Sequence, residues 1–185
     1  VPTFKRIYAD WTKPHVSGWK SVLLDHAITP VQQYSYTTGK NSSDSALIID
    51  AMDILYTGKV DGFCIVSSDS DFTRLATRLR EAGMKVIGIG EKKTLTPFIT
   101  ACDKFIYLEI LNPENDETTE TTSKEQNEKN KQTPKKPLSK INPEIIKLIG
   151  VSIGDLADDD GWAYLGDLGN LILKKKPDFD SRNYG

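Results

Sequence analysis

Histidine and cysteine are both scarce, with two of each among the 185 residues. Cys64 and Cys102 lie inside apolar patterns with no metal-ligand spacing. That argues against a thiolate metal site and reads as two buried free thiols in a reducing, cytoplasmic setting. His15 falls in a loop, and His26 falls on the apolar face of a helical pattern, where a satisfied core histidine is the simplest reading. No histidine pair is therefore set up for acid–base chemistry. No apolar run reaches the roughly 18 residues that cross a bilayer, which excludes a spanning helix. The N-terminus has neither a starting Met nor a leader-like pattern, as expected of a segment of a longer chain.

A strong charge of either sign is missing as well. The net charge is -2, made of +1 over residues 1–111 (13 basic, 12 acidic), zero over 112–140 (6 and 6) and -3 over 141–185 (5 and 8). Without a broad basic field, affinity for nucleic acid has to come from local patches. From Asn112 to Lys140 the only apolar residue is Leu138. Such a stretch cannot bury enough surface to order itself and reads as a disordered tether, spanning roughly 30 Å as a coil.

What is present is a regular alternation over residues 1–111. Strand-like runs at Phe4–Tyr8, Val31–Tyr36 (opened by Pro30), 62–67, Lys85–Ile89 and Phe105–Leu108 alternate with helical patterns. The helical stripes are Trp19, Val22, Leu23 and His26; Leu47, Ile48, Ala51, Ile54 and Leu55, ending near Gly58; 72–82, ending at Gly83; and a shorter one near 95–102. Alternating β and α units predict an α/β domain built on a parallel sheet. Beyond the tether, Asn142-Pro143 has the cap-then-proline form of a helix start. Trp162, Leu165, Leu168 and Ile172 have the spacing of a second helix, with Trp162 in its core. Residues 141–185 thus read as a small helical module.

The chemistry gathers where the third of these strands ends, at Cys64-Ile65-Val66-Ser67-Ser68-Asp69-Ser70-Asp71-Phe72. In open α/β sheets, ligands bind outside the carboxyl ends of the strands. Two carboxylates there repel by about 4 kcal/mol at ~4 Å and an effective dielectric near 20. A divalent cation, Mg²⁺ or Mn²⁺, removes that penalty. Asp44 precedes the stripe 47, 48, 51 by helical spacing, at a helix N-terminus, which in a βα unit lies on the same sheet edge. Asp44, Asp69 and Asp71 are therefore expected to converge. The alternative is that Asp44 and Asp71 only cap helices, with Ser68-x-x-Asp71 as a capping box. Asp103 is expected on the opposite edge in a structural role, Asp50 and Asp53 on a solvated helix face. Lys40 reads equally as a phosphate contact at the rim of the site and as a solvated loop lysine.

Two resemblances bear on these acids. Asp69-Ser70-Asp71-Phe72-Thr73 resembles the DxDxT motif of haloacid-dehalogenase-type phosphatases, in which the first Asp is the nucleophile. Gly154-Asp155-Leu156-Ala157-Asp158-Asp159 loosely imitates their later metal motif, but it lies beyond the tether, and that scheme gives Asp44 no role. Four other segments together resemble the NYN family, the LabA-like branch of PIN-type nucleases. These are Thr38-Gly39-Lys40-Asn41-Ser42-Ser43-Asp44, Ile49-Asp50-Ala51-Met52-Asp53, Ser67-Ser68-Asp69-Ser70-Asp71-Phe72 and Ala101-Cys102-Asp103-Lys104-Phe105-Ile106-Tyr107. The resemblance runs through essentially all of 1–111. Gly161-Trp162-Ala163 with Phe179-Asp180-Ser181-Arg182-Asn183-Tyr184-Gly185 resembles the OST-HTH (LOTUS) module, over 141–185.

The resemblance implies a three-layer PIN-like (Rossmannoid) parallel sheet with a winged-helix-like C-terminal module. It implies a Mg²⁺- or Mn²⁺-dependent endoribonuclease acting on single-stranded or structured RNA, with Asp44, Asp69 and Asp71 as metal-binding catalytic acids supported by Ser67, Ser68 and Lys40. A further acid is expected from an apolar strand, central in the sheet, that does not precede Val1 here, and the OST-HTH resemblance is cut off at its C-terminal side. Lys174, Lys175, Lys176 and Arg182 are the candidate RNA contacts of the second module. The lysines also suit the helix C-terminus on dipole grounds alone. A catalytically weak RNA-binding or adaptor protein, reaching a protein partner through the OST-HTH module, is the other reading.

Overall fold

The structure, a computed structural model, describes residues 2–34, 42–111 and 142–184. Lys40, the tether over 112–140 and the end of the strand expected to reach Tyr36 lie outside the described residues. In chain order the elements are β1 (Arg6–Ala9), α1 (Trp19–Asp25), β2 (Thr29–Gln32), α2 (Ser42–Thr57), β3 (Gly62–Val66), α3 (Thr73–Glu81), β4 (Lys85–Gly90), α4 (Thr96–Ala101), β5 (Lys104–Tyr107), α5 (Leu108–Leu111), α6 (Pro143–Leu156) and α7 (Leu165–Lys175). The expected alternation is present. It is an α/β arrangement with parallel strands, followed by a helical module.

The strands form two sheets among the described residues: β1-β2 and β3-β4-β5. All three pairings are parallel, with Ile7 opposite Pro30, Cys64 opposite Ile87 and Ile89 opposite Ile106. Pro30 sits within β2 rather than before it. Having no N–H to give to a ladder, it is tolerated on an edge strand. No described strand joins β1 to β3, so the two sheets are linked through α2. Its Ala51 belongs to the main core, with Leu47, Ile48, Met52 and Leu55 packed against that core, while its Asp50 binds β1.

That core lies between β3-β4-β5 and the helices α3 and α4. Phe98, Phe105, Leu79 and Val86 are fully buried. Phe98 and Phe105 meet edge to face at 6.0 Å between centroids, the geometry that the ring quadrupoles favour. β4 crosses this core on glycine. A Cβ on Gly88 would come within 2.5 Å of the Phe105 ring and 2.8 Å of Cys102 Sγ. Gly58 and Gly83 follow α2 and α3 with φ of 63° and 82°. Both are left-handed helix endings that only glycine adopts freely.

Several expectations need correction. Cys102 is buried as expected, and burial pushes its thiol up to about 12, but Cys64 is exposed. It lies on the less covered face of β3, as does Val66, 64% exposed. His26 is not a core histidine. It is exposed and follows the last turn of α1, and its carbonyl accepts from Lys5 Nζ. Of the stripe that suggested its burial, only Leu23 is buried. The last strand stops at Tyr107, and Leu108 begins the single-turn α5.

In the second module the Asn142 side chain accepts from the Glu144 N–H at 3.0 Å, capping α6 as its sequence suggests. Ile145, Leu168 and Ile172 form the α6/α7 contact. Trp162 is not part of this core, being 78% exposed. It precedes α7 in a turn closed by Asp158, whose carboxylate accepts from the Trp162 N–H at 2.8 Å. The helical spacing that linked Trp162 to Leu165 and Leu168 therefore does not apply. The module rests against β5: the Phe105 N–H donates to the Pro177 carbonyl at 2.8 Å, and the Tyr107 hydroxyl donates to Asp178 at 2.9 Å.

Candidate active site at the acidic edge

Parallel strands β3, β4 and β5 end on one edge, and the loops that leave them interlock there. The Ser67 N–H donates to Ile89 O at 2.9 Å. Ser68 Oγ accepts from the Glu91 N–H at 2.9 Å, bolting the loop after β3 to the loop after β4. Gly90 lets them approach, since a Cβ there would lie 2.6 Å from Ser67 O. Ser67 Oγ accepts from the Asp69 N–H at 3.1 Å. Asp69 Oδ1 in turn accepts from the Asp71 N–H at 2.9 Å, capping the short 3-10 turn Ser70–Phe72 that leads into α3. Phe72, 3% exposed, anchors this turn in the core.

The capping-box alternative is thereby corrected. Ser68 bonds across to Glu91, just after β4, and the cap is Asp69, with Asp71 in the first turn. Asp69 and Asp71 remain exposed. Asp44, in the first turn of α2, is half-buried. Its carboxyl is held above the usual carboxylate range, first by burial and then by the charges of Asp69 and Asp71. Asp44 thus lies within electrostatic reach of the other two acids, which are 25 and 27 positions away in sequence (69 − 44 and 71 − 44).

The donor set is all carboxylate oxygen, which suits a hard divalent cation, and the repulsion felt at Asp44 is the feature a cation would relieve. Among the described residues no group of three or more His, Cys, Asp or Glu side chains is close enough together to hold a metal ion.

The other acids are sorted by their contacts. Asp103 is structural, as expected: it accepts from the Val86 N–H at 2.8 Å and pairs with Arg80 at 3.0 Å. Asp50 is not merely solvated. Arg6 and Tyr8 both donate to it, tying α2 to β1. Burial opposes its charge, but these two partners hold its carboxyl below the usual range. This clamp was not legible in the sequence, because it joins residues 44 and 42 positions apart whose spacing carries no period. Asp155, in the segment that imitates a phosphatase metal motif, pairs with Lys175 in the second module.

The cationic candidates of that module are mostly engaged. Lys175 bonds Asp155 and, at 3.2 Å, Ser152. Lys176 pairs with Asp178 at 3.5 Å. Arg182 grips Asp180 through two bonds of 2.9 and 2.7 Å, which hold that carboxyl down to about 2. Lys174 is exposed.

The parallel strands, the helices between them and the interlocked loops at their carboxyl edge define an α/β fold followed by a helical module. The NYN domain matches residues 2–109, and the OST-HTH/LOTUS domain matches residues 136–185. The chain belongs to the NYN family, a PIN-like nuclease family, and carries an OST-HTH/LOTUS module. A crystal structure of a protein of unknown function from Vibrio parahaemolyticus is similar at 22% identity and a TM-score of 0.46. The similarity covers 56% of this chain and 65% of that one. No curated protein matches. Among the described residues, no helix is long and apolar enough to cross a membrane.

Proposed function

We propose that the protein is a divalent-metal-dependent endoribonuclease, with the acids of the sheet edge as its catalytic centre and the OST-HTH module adding contacts to single-stranded or structured RNA. The observation that carries this reading is the elevated carboxyl of Asp44 opposite Asp69 and Asp71. Asp44, Asp69 and Asp71 would hold Mg²⁺ or Mn²⁺. When bound, such an ion supplies a water of lowered pKa and neutralises charge on the attacked phosphate. The residues of the chain supply position. Ser67 fixes the Asp69 backbone, Asp69 orders the turn that carries Asp71, and Ser68 holds the loop against β4. In the reaction the water oxygen bonds to phosphorus as the P–O bond to the leaving nucleotide breaks.

The second reading, an RNA-binding adaptor with weak catalysis, is favoured by one observation: the described acids do not close into a three-ligand group. Labelled single-stranded RNA incubated with Mg²⁺ or Mn²⁺ separates the two. Internal cleavage is expected, lost in Asp69→Asn and Asp71→Asn with folding intact, since Asn caps a helical turn as well as Asp does but lacks the charge. Binding without cleavage in either metal supports the adaptor. Hydrolysis of an aryl phosphate with no action on RNA favours a phosphatase using Asp69 instead.

A further inference from the structure

Docking of the second module on β5 creates a cleft of about 370 Å³ at the domain junction. Neither domain forms it alone. Lys92, Thr94 and Tyr107 line it from the sheet side, and Lys175, Lys176 and Asp178 from the module side. We propose that this cleft seats the phosphate backbone of a single RNA strand, held between Lys92 of the NYN domain and Lys176 of the OST-HTH module. The proposal deepens the ribonuclease reading above and rests on it for the identity of the polyanion.

The charges support an anionic occupant. The lining includes three lysines against one carboxylate. Lys175 is committed to Asp155 and Ser152. Lys176 has only a 3.5 Å contact with Asp178, which also accepts the Tyr107 hydroxyl. Lys92 is exposed, and its ammonium has no ion-pair partner among the described residues. Of the carboxylates nearby, Glu91 pairs with Lys93 at 2.6 Å, and Glu109 accepts the Lys92 N–H at 2.8 Å with one oxygen while its other oxygen is buried without a hydrogen-bond partner among the described residues. Two cations from different domains therefore face one cleft, Lys176 through a 3.5 Å pair with Asp178 and Lys92 without an ion-pair partner among the described residues.

Position links the cleft to the chemistry. Lys92 lies two residues beyond β4, on the sheet edge that carries Asp69 and Asp71, next to the Glu91 N–H that Ser68 accepts. A strand gripped at Lys92 therefore passes beside the loop that carries the acids. Phosphate contacts of this kind fix register without reading sequence.

The test uses the full chain and fluorescence anisotropy of a short fluorescein-labelled single-stranded RNA in EDTA, over a salt series. Lys92→Gln and Lys176→Gln should each weaken binding several-fold and flatten the slope of log affinity against log salt by about 0.7, the value for one lost contact to a single strand. Lys59→Gln, at the opposite edge before β3, should change neither, and circular dichroism checks that each variant is folded. Wild-type affinity and slope in both cleft variants overturn the proposal, as does tight binding of poly-glutamate with none of the RNA. The ribonuclease reading fails separately. If binding maps to the cleft but no RNA is cut in Mg²⁺ or Mn²⁺, the cleft stands and the nuclease does not. If RNA is cut and both lysine variants bind as wild type, the nuclease stands and the cleft does not.

Discussion

The Tyr107 hydroxyl donates to Asp178 at 2.9 Å across 71 positions of sequence, and this contact, with Phe105 N–H to Pro177 O, joins the two domains. Burial, and then the bond to Asp178, raise the phenol above its ordinary pKa. The folded protein therefore holds that proton where the undocked chain would release it, so docking should be independent of this group through neutral pH and weaken as pH rises past about 10. Tyr107→Phe keeps the ring and loses the bond. The Phe105 amide should exchange faster in that variant, with the α3/α4 core unchanged. Equal exchange would show that Pro177 alone holds the module.

Asp44 is raised by burial and by its neighbours Asp69 and Asp71. An acid with a raised folded pKa binds more protons folded than unfolded. Without metal, stability should therefore fall as pH rises from about 4. Asp44→Asn should cancel this slope and raise the melting temperature at neutral pH by on the order of 2 °C. Mg²⁺ should stabilise the wild type and have much less effect on the variant. A variant that melts lower than wild type in EDTA would mean that Asp44 is held by favourable bonds rather than opposed by its neighbours.

Asp50 accepts from both Arg6 and Tyr8. Because no described strand bridges β1 and β3, this clamp is a polar tie between the small sheet and α2 that the sheets themselves do not supply. A hydrogen bond to a charged group contributes about 1.5–3 kcal/mol. With Arg6 and Asp50 side chains 32% and 21% exposed, the lower end applies. Asp50→Ala should therefore cost about 1.5 kcal/mol in a urea melt, with faster amide exchange in Arg6–Ala9 and Thr29–Gln32. Unchanged exchange there would assign the tie to apolar contacts alone.

Much of the fold was legible because its signals are local. Apolar runs with glycine stops at Gly58 and Gly83 placed α2, α3 and their neighbouring strands, and Asn142-Pro143 placed the start of α6. That Asp44 feels the charges of Asp69 and Asp71 agrees with βα geometry, which fixes the edge a helix start occupies, although the three do not close into one metal-binding group among the described residues. What the sequence hid is pairwise and long-range. The Asp50 clamp, the contact of Ser68 with β4 and the docking of Pro177 on β5 each join segments whose spacing carries no period. Burial of single residues was similarly hidden. Cys64 and His26 have the pattern of core positions, yet both are exposed.

Trp162 shows how that difference changes an expectation. The sequence placed it in the core of the second module, where truncation to Ala would unfold that module. In the structure the ring is 78% exposed, beside Tyr164 and Leu165 at 76% and 77%, and the turn is held by backbone bonds to Asp158 that Ala keeps. A substitution at such a site usually changes stability by less than about 0.5 kcal/mol, so Trp162→Ala should melt as wild type. An exposed aromatic platform stacks on nucleic-acid bases at about 1–3 kcal/mol per base. If Trp162 makes such a contact, Trp162→Ala should weaken RNA binding at least fivefold with an unchanged salt slope. That sets it apart from the lysine variants, which lose slope as well as affinity. A lower melting temperature with unchanged RNA affinity would return Trp162 to a packing role.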